Sequence, residues 1–129
     1  VPLVPEGTEL LGGLELGGIP IVTILSSLTG IPAVFVRKEA KSHGTCPLAE
    51  GADVEGRQVT LVEDVLTTGG AVRDAAAALR ALGARVGVVL CAIDRSGQAG
   101  GPVTDIGLQT RAVLTKDDLN AARAGHEVR

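Results

Sequence analysis

The chain has 129 residues, 45% of them hydrophobic and 21% charged, with a net charge of −3 and a sequence pI near 5.3. This length predicts a single domain over residues 1–129, and the hydrophobic content excludes a disordered chain. The acidic balance argues against a nucleic-acid partner, and no apolar run approaches the ~20 residues of a membrane span.

The first part of the chain is predicted to form a strand, a helix and a strand. Residues 9–13 form a short strand and residues 19–28 a helix, with Pro20 in the first turn, where proline is tolerated. Gly30 ends this helix, and residues 33–36 form a buried strand.

A long polar stretch, residues 37–57, follows without apolar periodicity, and loops of this length in compact domains are usually functional. Cations cluster at its start, at Arg37, Lys38, Lys41 and His43, although the chain as a whole is acidic. The plain alternative for this run is a solvated charged surface.

The most informative segment begins with a short apolar strand, residues 59–62, which ends in Glu63 and Asp64. A loop of hydroxyls and glycines, residues 67–70, leads into a predicted helix over residues 70–82. Carboxylates accept hydrogen bonds from vicinal hydroxyls, and the first turn of a helix offers unpaired N–H groups to a phosphate. The segment therefore predicts a sugar-phosphate site, against the alternative of an ordinary strand-to-helix turn.

The rest of the chain continues the alternation of strands and helices. Residues 85–93 form a continuous apolar strand, which contains Cys91 as a small buried hydrophobe. A glycine-rich loop covers residues 94–101, residues 106–114 form a last strand, and a capped helix starts at Thr115. Apolar strands separated by helices predict an α/β fold, a single-domain mostly parallel sheet flanked by helices.

The two cysteines, Cys46 and Cys91, have neither zinc spacing nor a CxxC motif. No signal peptide is evident at the N-terminus, so we expect a reduced, cytoplasmic protein with no membrane partner.

The segment from Gln58 to Ala71 resembles the 5-phosphoribosyl 1-diphosphate (PRPP) signature of type I phosphoribosyltransferases. The basic run Arg37-Lys38-Glu39-Ala40-Lys41-Ser42-His43-Gly44 resembles the mobile catalytic loop of orotate phosphoribosyltransferases. The resemblance implies a PRPP site made of Arg37, Lys38, Lys41, His43, Glu63, Asp64, Val65, Leu66, Thr67, Thr68, Gly69, Gly70 and Ala71. It makes Lys41, His43 and Asp64 the catalytic residues, and it places Thr67 and Arg95 on orotate.

The reaction implied by this resemblance joins orotate to PRPP, giving orotidine 5′-monophosphate and pyrophosphate. It implies Mg²⁺ carried by the diphosphate with no direct protein ligand, and a homodimer with shared active sites. Two departures from the family stand out. Gly17, in a loop that resembles the family's pyrophosphate loop, stands where many members have lysine, and almost nothing precedes Glu9, so the family's N-terminal segment is expected to be absent.

Three alternatives remain open at this point. The chain could transfer phosphoribose to another base, act as a non-catalytic PRPP-binding regulator on the same fold, or bind another phosphate ligand. Arg95 could also be a strand-end arginine paired with Asp94 rather than an orotate ligand.

Overall fold

The structure is a computed structural model that describes residues 1–37, 49–50 and 53–127. Lys38, Lys41 and His43, to which the sequence assigns diphosphate contacts, lie outside the described residues. No helix within the described ranges is long and apolar enough to cross a membrane.

Strands and helices alternate along most of the chain. In chain order they are β1 (Leu10–Leu14), α1 (Gly18–Thr29), β2 (Ala33–Val36), β3 (Ala49–Glu50), β4 (Gln58–Leu66), α2 (Gly70–Ala81), β5 (Arg85–Asp94), β6 (Gln109–Thr115) and α3 (Lys116–Glu127). The strands of the described residues form one sheet in the order β3-β2-β1-β4-β5-β6. All neighbours are parallel except β2 and β3, so the predicted α/β fold with a mostly parallel sheet is confirmed.

The central strands β1 and β4 are buried on both faces for most of their length, which explains why they are nearly continuously apolar. One face packs on α2, whose Val72 and Leu79 are fully buried. The other face packs on α1, where Val22 joins a second cluster with Leu11 and Val62. Cys91 in β5 is 4% exposed, so the prediction that it is a small buried residue is confirmed.

Three predicted boundaries need correction. The strand expected to end at Val62 continues through the acidic residues to Leu66, because β5 also continues and pairs with it as far as Asp94. The last strand begins at Gln109 rather than residue 106, since a 3-10 turn, Thr104–Ile106, precedes it. The polar stretch predicted as loop contains β3, an edge strand that pairs antiparallel with β2.

The sheet changes direction between β1 and β4. From β1 the chain crosses through α1 to β2 on one side, and from β4 it crosses through α2 to β5 on the other. In open α/β sheets, ligands bind beyond the carboxyl ends of the strands at such a switch point. The loops after β1 and β4 are therefore where a binding site is expected.

Candidate active site

Glu63 and Asp64 lie near the carboxyl end of β4 and differ in exposure. Glu63 is 8% exposed, whereas Asp64 is exposed to solvent. The backbone N–H of Asp64 donates to Oε1 of Glu63 over 3.0 Å, and the N–H of Val65 donates to Oδ1 of Asp64 over 2.8 Å. These bonds orient both carboxylates locally, and Asp64 keeps an open side towards solvent.

The loop after β4 has the geometry of an anion site. Gly69 takes φ 83°, a left-handed conformation that suits glycine, and α2 begins at the next residue. No side chain caps the start of α2 among the described residues, so its first N–H groups point to the loop without a side-chain acceptor. A cavity of about 140 Å³, a size suited to a phosphate group, lies at this point and is lined by Glu63 and residues 65–72.

A larger cavity, of about 550 Å³, lies beside this loop. It is lined by Thr67, Thr68, Arg73, Arg95, Ser96, Gln98, Pro102, Thr104 and Asp105. The structure therefore brings together Thr67 and Arg95, which the sequence analysis assigned to one ligand. The two threonines also join this cavity to the smaller one, because they line both.

Arg95 lines this cavity, and among the described residues no side chain or carbonyl accepts a hydrogen bond from its guanidinium. Its backbone N–H donates to the carbonyl of Leu66 over 2.8 Å, which fixes the start of the loop after β5 to the end of β4. Within the described ranges no carboxylate lies within ion-pair distance of Arg95. Asp94, the alternative partner considered above, instead accepts from the backbone N–H of Ser96 over 2.9 Å.

The loop after β1 closes the site from the other side. A Cβ placed on Gly17 would overlap the carboxylate of Asp64, and one placed on Gly18 would overlap the carbonyl of Val62. The peptide bond between Glu15 and Leu16 in this loop is cis. The missing side chain at Gly17 therefore leaves the space that the Asp64 carboxylate occupies.

Two titrating groups near the site have shifted pKa values. A hydrogen bond from Arg73 lowers the pKa of Asp105, so this carboxylate stays charged well below neutral pH. Burial, together with the charges of Asp94 and Glu63, raises the pKa of the Cys91 thiol to about 12. Cys91 is thus a neutral thiol at physiological pH and unsuited to act as a nucleophile.

Sequence reasoning missed part of the larger cavity, namely Arg73, Ser96, Gln98, Thr104 and Asp105. Arg73 carried a usable signal, since it is a cation in the first turn of the helix that follows the phosphate loop. Arg37 was assigned to the diphosphate; it lies directly after β2 and is half-buried. Its role remains a prediction, as do the roles of the other assigned residues.

Metal-binding groups were sought among the same residues. The part of the chain that the structure describes contains no cluster of three or more His, Cys, Asp or Glu side chains able to hold a metal ion.

Comparison with known proteins gives a consistent result. Residues 10–108 match the family model of the phosphoribosyl transferase domain. The chain is 68% identical, over 123 residues, to an orotate phosphoribosyltransferase of Nocardioides sp., covering 95% of this chain and 69% of that protein. It is 40% identical to an orotate phosphoribosyltransferase of Methanopyrus kandleri, covering 94% of this chain and 65% of that protein.

Solved structures agree with these relatives. An orotate phosphoribosyltransferase from Aeropyrum pernix superimposes with a TM-score of 0.77 at 33% identity, over 89% of this chain and 65% of that one. The Mycobacterium tuberculosis orotate phosphoribosyltransferase in complex with PRPP superimposes with a TM-score of 0.72 at 36% identity, over 87% and 65% of the two chains. The chain spans between 59% and 69% of the length of the first three curated relatives. With the parallel sheet, the switch-point site and the phosphate loop, these matches show that the chain belongs to the phosphoribosyltransferase family and, within it, to the orotate phosphoribosyltransferases.

Proposed function

We propose that this chain transfers the 5-phosphoribosyl group of PRPP to orotate, giving orotidine 5′-monophosphate and pyrophosphate. One observation carries this proposal: Arg95 lines the same cavity as Thr67 and Thr68 of the phosphate loop. A cation suited to a carboxylated base thus lies next to a site suited to a ribose phosphate. The relatives named orotate phosphoribosyltransferase support the same reaction.

The sugar phosphate binds along the end of β4. Asp64, exposed beside the loop, accepts hydrogen bonds from the vicinal ribose hydroxyls, and Glu63 lies behind it at the edge of the phosphate cavity. Thr67, Thr68 and the glycines after them hold the 5′-phosphate through backbone N–H groups at the start of α2.

The base binds in the larger cavity. A planar guanidinium matches a carboxylate with two parallel hydrogen bonds, so Arg95 selects orotate, a carboxylated pyrimidine, over bases that lack this group. Thr67, the first residue of the phosphate loop, lines both cavities and is therefore placed beside both the base and the 5′-phosphate. This arrangement holds the attacking nitrogen of the base near the ribose, which lowers the entropy cost of the reaction.

Breaking the bond between ribose and diphosphate develops positive charge on the ribose and negative charge on the leaving group. The Asp64 carboxylate lies where it stabilises the former. From the sequence, Lys41 and His43 stabilise the latter with Arg37 and Lys38, and such contacts act most strongly in the transition state. A histidine side chain, with an unperturbed pKa near ~6.5, is able to donate a proton to the leaving oxygen, and we assign this role to His43.

Mg²⁺ enters this proposal with the substrate. The carboxylates of Glu63 and Asp64 are oxygen donors of the kind that Mg²⁺ accepts, but a pair without further ligands fits an ion that keeps its waters and substrate oxygens. Bound to the diphosphate, Mg²⁺ neutralises part of its charge. By family resemblance we also propose a homodimer in which the basic segment reaches the neighbouring site.

The test is a turnover assay of the purified chain with PRPP and Mg²⁺. Orotate, uracil, adenine and hypoxanthine are supplied in parallel, and products are separated by chromatography. We expect orotate alone to be consumed, with pyrophosphate released in equal amount and activity lost on chelating Mg²⁺. Consumption of another base in preference to orotate would reject the base assignment. PRPP binding without turnover of any base would favour a regulator.

Arg95→Lys is the matched variant for the base site, because it keeps the charge and loses the planar fork. We expect it to raise the KM for orotate while the KM for PRPP stays close to that of the parent chain. Sedimentation of the same sample measures whether it is a dimer.

A further inference from the structure

Arg73 of α2 fastens the loop that carries the base-binding side of the larger cavity. Arg73 Nη1 donates to Asp105 Oδ2 over 2.6 Å, and Nη2 donates to Asp105 Oδ1 over 2.8 Å. Nη2 also donates to the carbonyl oxygen of Pro102 over 2.6 Å. Two parallel bonds to one carboxylate, with a third to a backbone carbonyl, form a geometrically specific clamp.

Both ends of this loop, residues 95–107, are attached to residues that flank the phosphate loop. At its start, the N–H of Arg95 donates to the carbonyl of Leu66, just before Thr67. Near its end, Arg73 in the first turn of α2 holds Asp105 and Pro102. The loop after β5 and the phosphate loop are therefore bound together on both sides of the cavity between them.

A packing contact strengthens this attachment. Val103 is fully buried, and a Cβ added to Gly69 would lie 2.6 Å from its Cγ1. The loop thus rests directly on the backbone of the phosphate loop, where only a glycine fits. Arg80, one further arginine of α2, donates to the carbonyl of Ile106 over 2.8 Å.

We propose that Arg73, through Asp105, is a positioning residue for the base: it holds the loop of residues 95–107 at the distance from the phosphate loop that lets Arg95 and Thr67 contact one substrate. This inference rests on the proposed function and adds a residue to it. The guanidinium of Arg73 already donates to Asp105 and Pro102, so it acts through the loop rather than by contacting the reacting atoms.

Because Arg73 and Asp105 are partly exposed, their effect on the position of the loop can be distinguished from an effect on the stability of the fold. The side chains of Arg73 and Asp105 are 34% and 64% exposed, and ion pairs this open to solvent contribute little to folding. Removing the clamp should leave the folded state intact. A misplacement of about 1 Å in a binding group, by contrast, can cost up to about a hundredfold in rate.

The experiment compares Arg73→Lys and Asp105→Asn with the parent chain, using Arg85→Lys as the matched control. Arg85 lies at the amino end of β5, whereas the site lies at the carboxyl ends of the strands. Its Nη2 is 3.6 Å from Glu9 Oε1. We expect both clamp variants to raise the KM for orotate about fivefold or more, with the KM for PRPP within about twofold and the melting temperature nearly unchanged. The double variant should be no worse than Arg73→Lys alone, because Asp105→Asn affects only a contact that Arg73→Lys already breaks.

Amide hydrogen exchange provides a readout that needs no turnover. Exchange in residues 96–106 should be faster in the clamp variants than in the parent chain and in Arg85→Lys. An unchanged KM for orotate in both clamp variants would overturn the proposal, as would equal increases in KM for both substrates. If the parent chain does not consume orotate, the proposed function fails instead, and the exchange data alone then decide whether Arg73 holds the loop.

Discussion

Asp64 near the end of β4 lies directly against Gly17 in the loop after β1, because Gly17 has no side chain to keep them apart. The carboxylate fills the space that a Cβ at residue 17 would need. Gly17 itself has φ −66°, a conformation open to any residue. What the glycine supplies here is therefore room for Asp64, and the lysine that many family members carry at this position requires a different arrangement of the two side chains.

We predict that Gly17→Ala weakens PRPP binding with little loss of stability, because the new methyl group displaces the Asp64 carboxylate while the backbone is unstrained. Titration calorimetry with PRPP measures the dissociation constant. Gly125→Ala is the control, since a Cβ at this glycine of α3 meets nothing within 4 Å. Equal affinities of the parent chain and Gly17→Ala would show that Asp64 has room to move without cost.

Asp64→Asn tests the carboxylate itself. The amide keeps the shape and loses the charge, and hydrogen bonds to charged groups contribute about 1.5–3 kcal/mol. We expect the dissociation constant for PRPP to rise roughly tenfold or more. Asp53→Asn is matched to it, since Asp53 precedes β4 at the other end of the sheet and accepts from the N–H of Glu55. The same loss in both variants would indicate a nonspecific charge effect.

Among the elements, β4 was predicted only in part from the sequence. Its apolar half was predicted from residue types, because Val and Thr favour strands. Its acidic half was not, because charged residues normally mark the end of a strand. Pairing of Val65 with Ile93 in β5 extends the strand past them, and this contact depends on a partner that the local pattern does not contain.

The start of α2 was predicted correctly because its signals are local: glycines precede the helix and strong helix formers fill it. The start of β6 was not, although Gly107, with φ 77°, ends the short turn before it. A glycine inside a predicted strand indicates that the strand can be interrupted there, and Gly107 lies just before the true start of β6. The short edge strand β3 depends on its pairing with β2 and has no sequence pattern of its own.

The junction between the phosphate loop and α2 supports a prediction about stability. Gly69→Ala introduces a left-handed alanine, which costs about 1–2 kcal/mol, and its Cβ meets Val103. We expect a loss in the free energy of unfolding above this value, measured by urea denaturation. Gly70→Ala is the neighbouring control, because a Cβ added there would lie 3.9 Å from Thr68 Oγ1, an ordinary van der Waals contact. A loss of the same size in both variants would contradict this explanation.

At the scale of the whole molecule, the alternation of strands and helices and the mostly parallel sheet followed from the pattern of apolar residues. The composition of the larger cavity did not, because its walls come from separate parts of the chain. Arg73 and Asp105 are 32 residues apart in sequence, and no local rule pairs them. The fold brings them together only after β5 has returned the chain beside β4.

The buried Cys91 thiol leads us to predict that the free energy of unfolding depends on pH. An unfolded thiol ionises near pH ~8.5, while Cys91 in the folded chain has a pKa of about 12. Between these values the unfolded chain loses a proton that the folded chain keeps, so the free energy of unfolding falls by about 1.4 kcal/mol per pH unit from this group.

Urea denaturation of the parent chain and of Cys91→Ala at pH ~7.5 and ~10 isolates this contribution. At pH ~7.5 the parent chain should have a higher free energy of unfolding than Cys91→Ala. At pH ~10 the difference between the two should be smaller by about 2 kcal/mol. An advantage that stays constant would mean that the thiol ionises alike in both states.

The attachment of residues 95–107 to both flanks of the phosphate loop has a consequence for protein engineering. A base-recognition loop taken from another phosphoribosyltransferase cannot be grafted alone, because residues 95–107 of this chain are held in place by contacts with Gly69 and the guanidinium of Arg73. The smallest exchangeable unit runs from the end of β4, through α2 and β5, to Gly107. Changes of base preference in this scaffold should therefore succeed when that whole block is transplanted and fail when the loop is moved by itself.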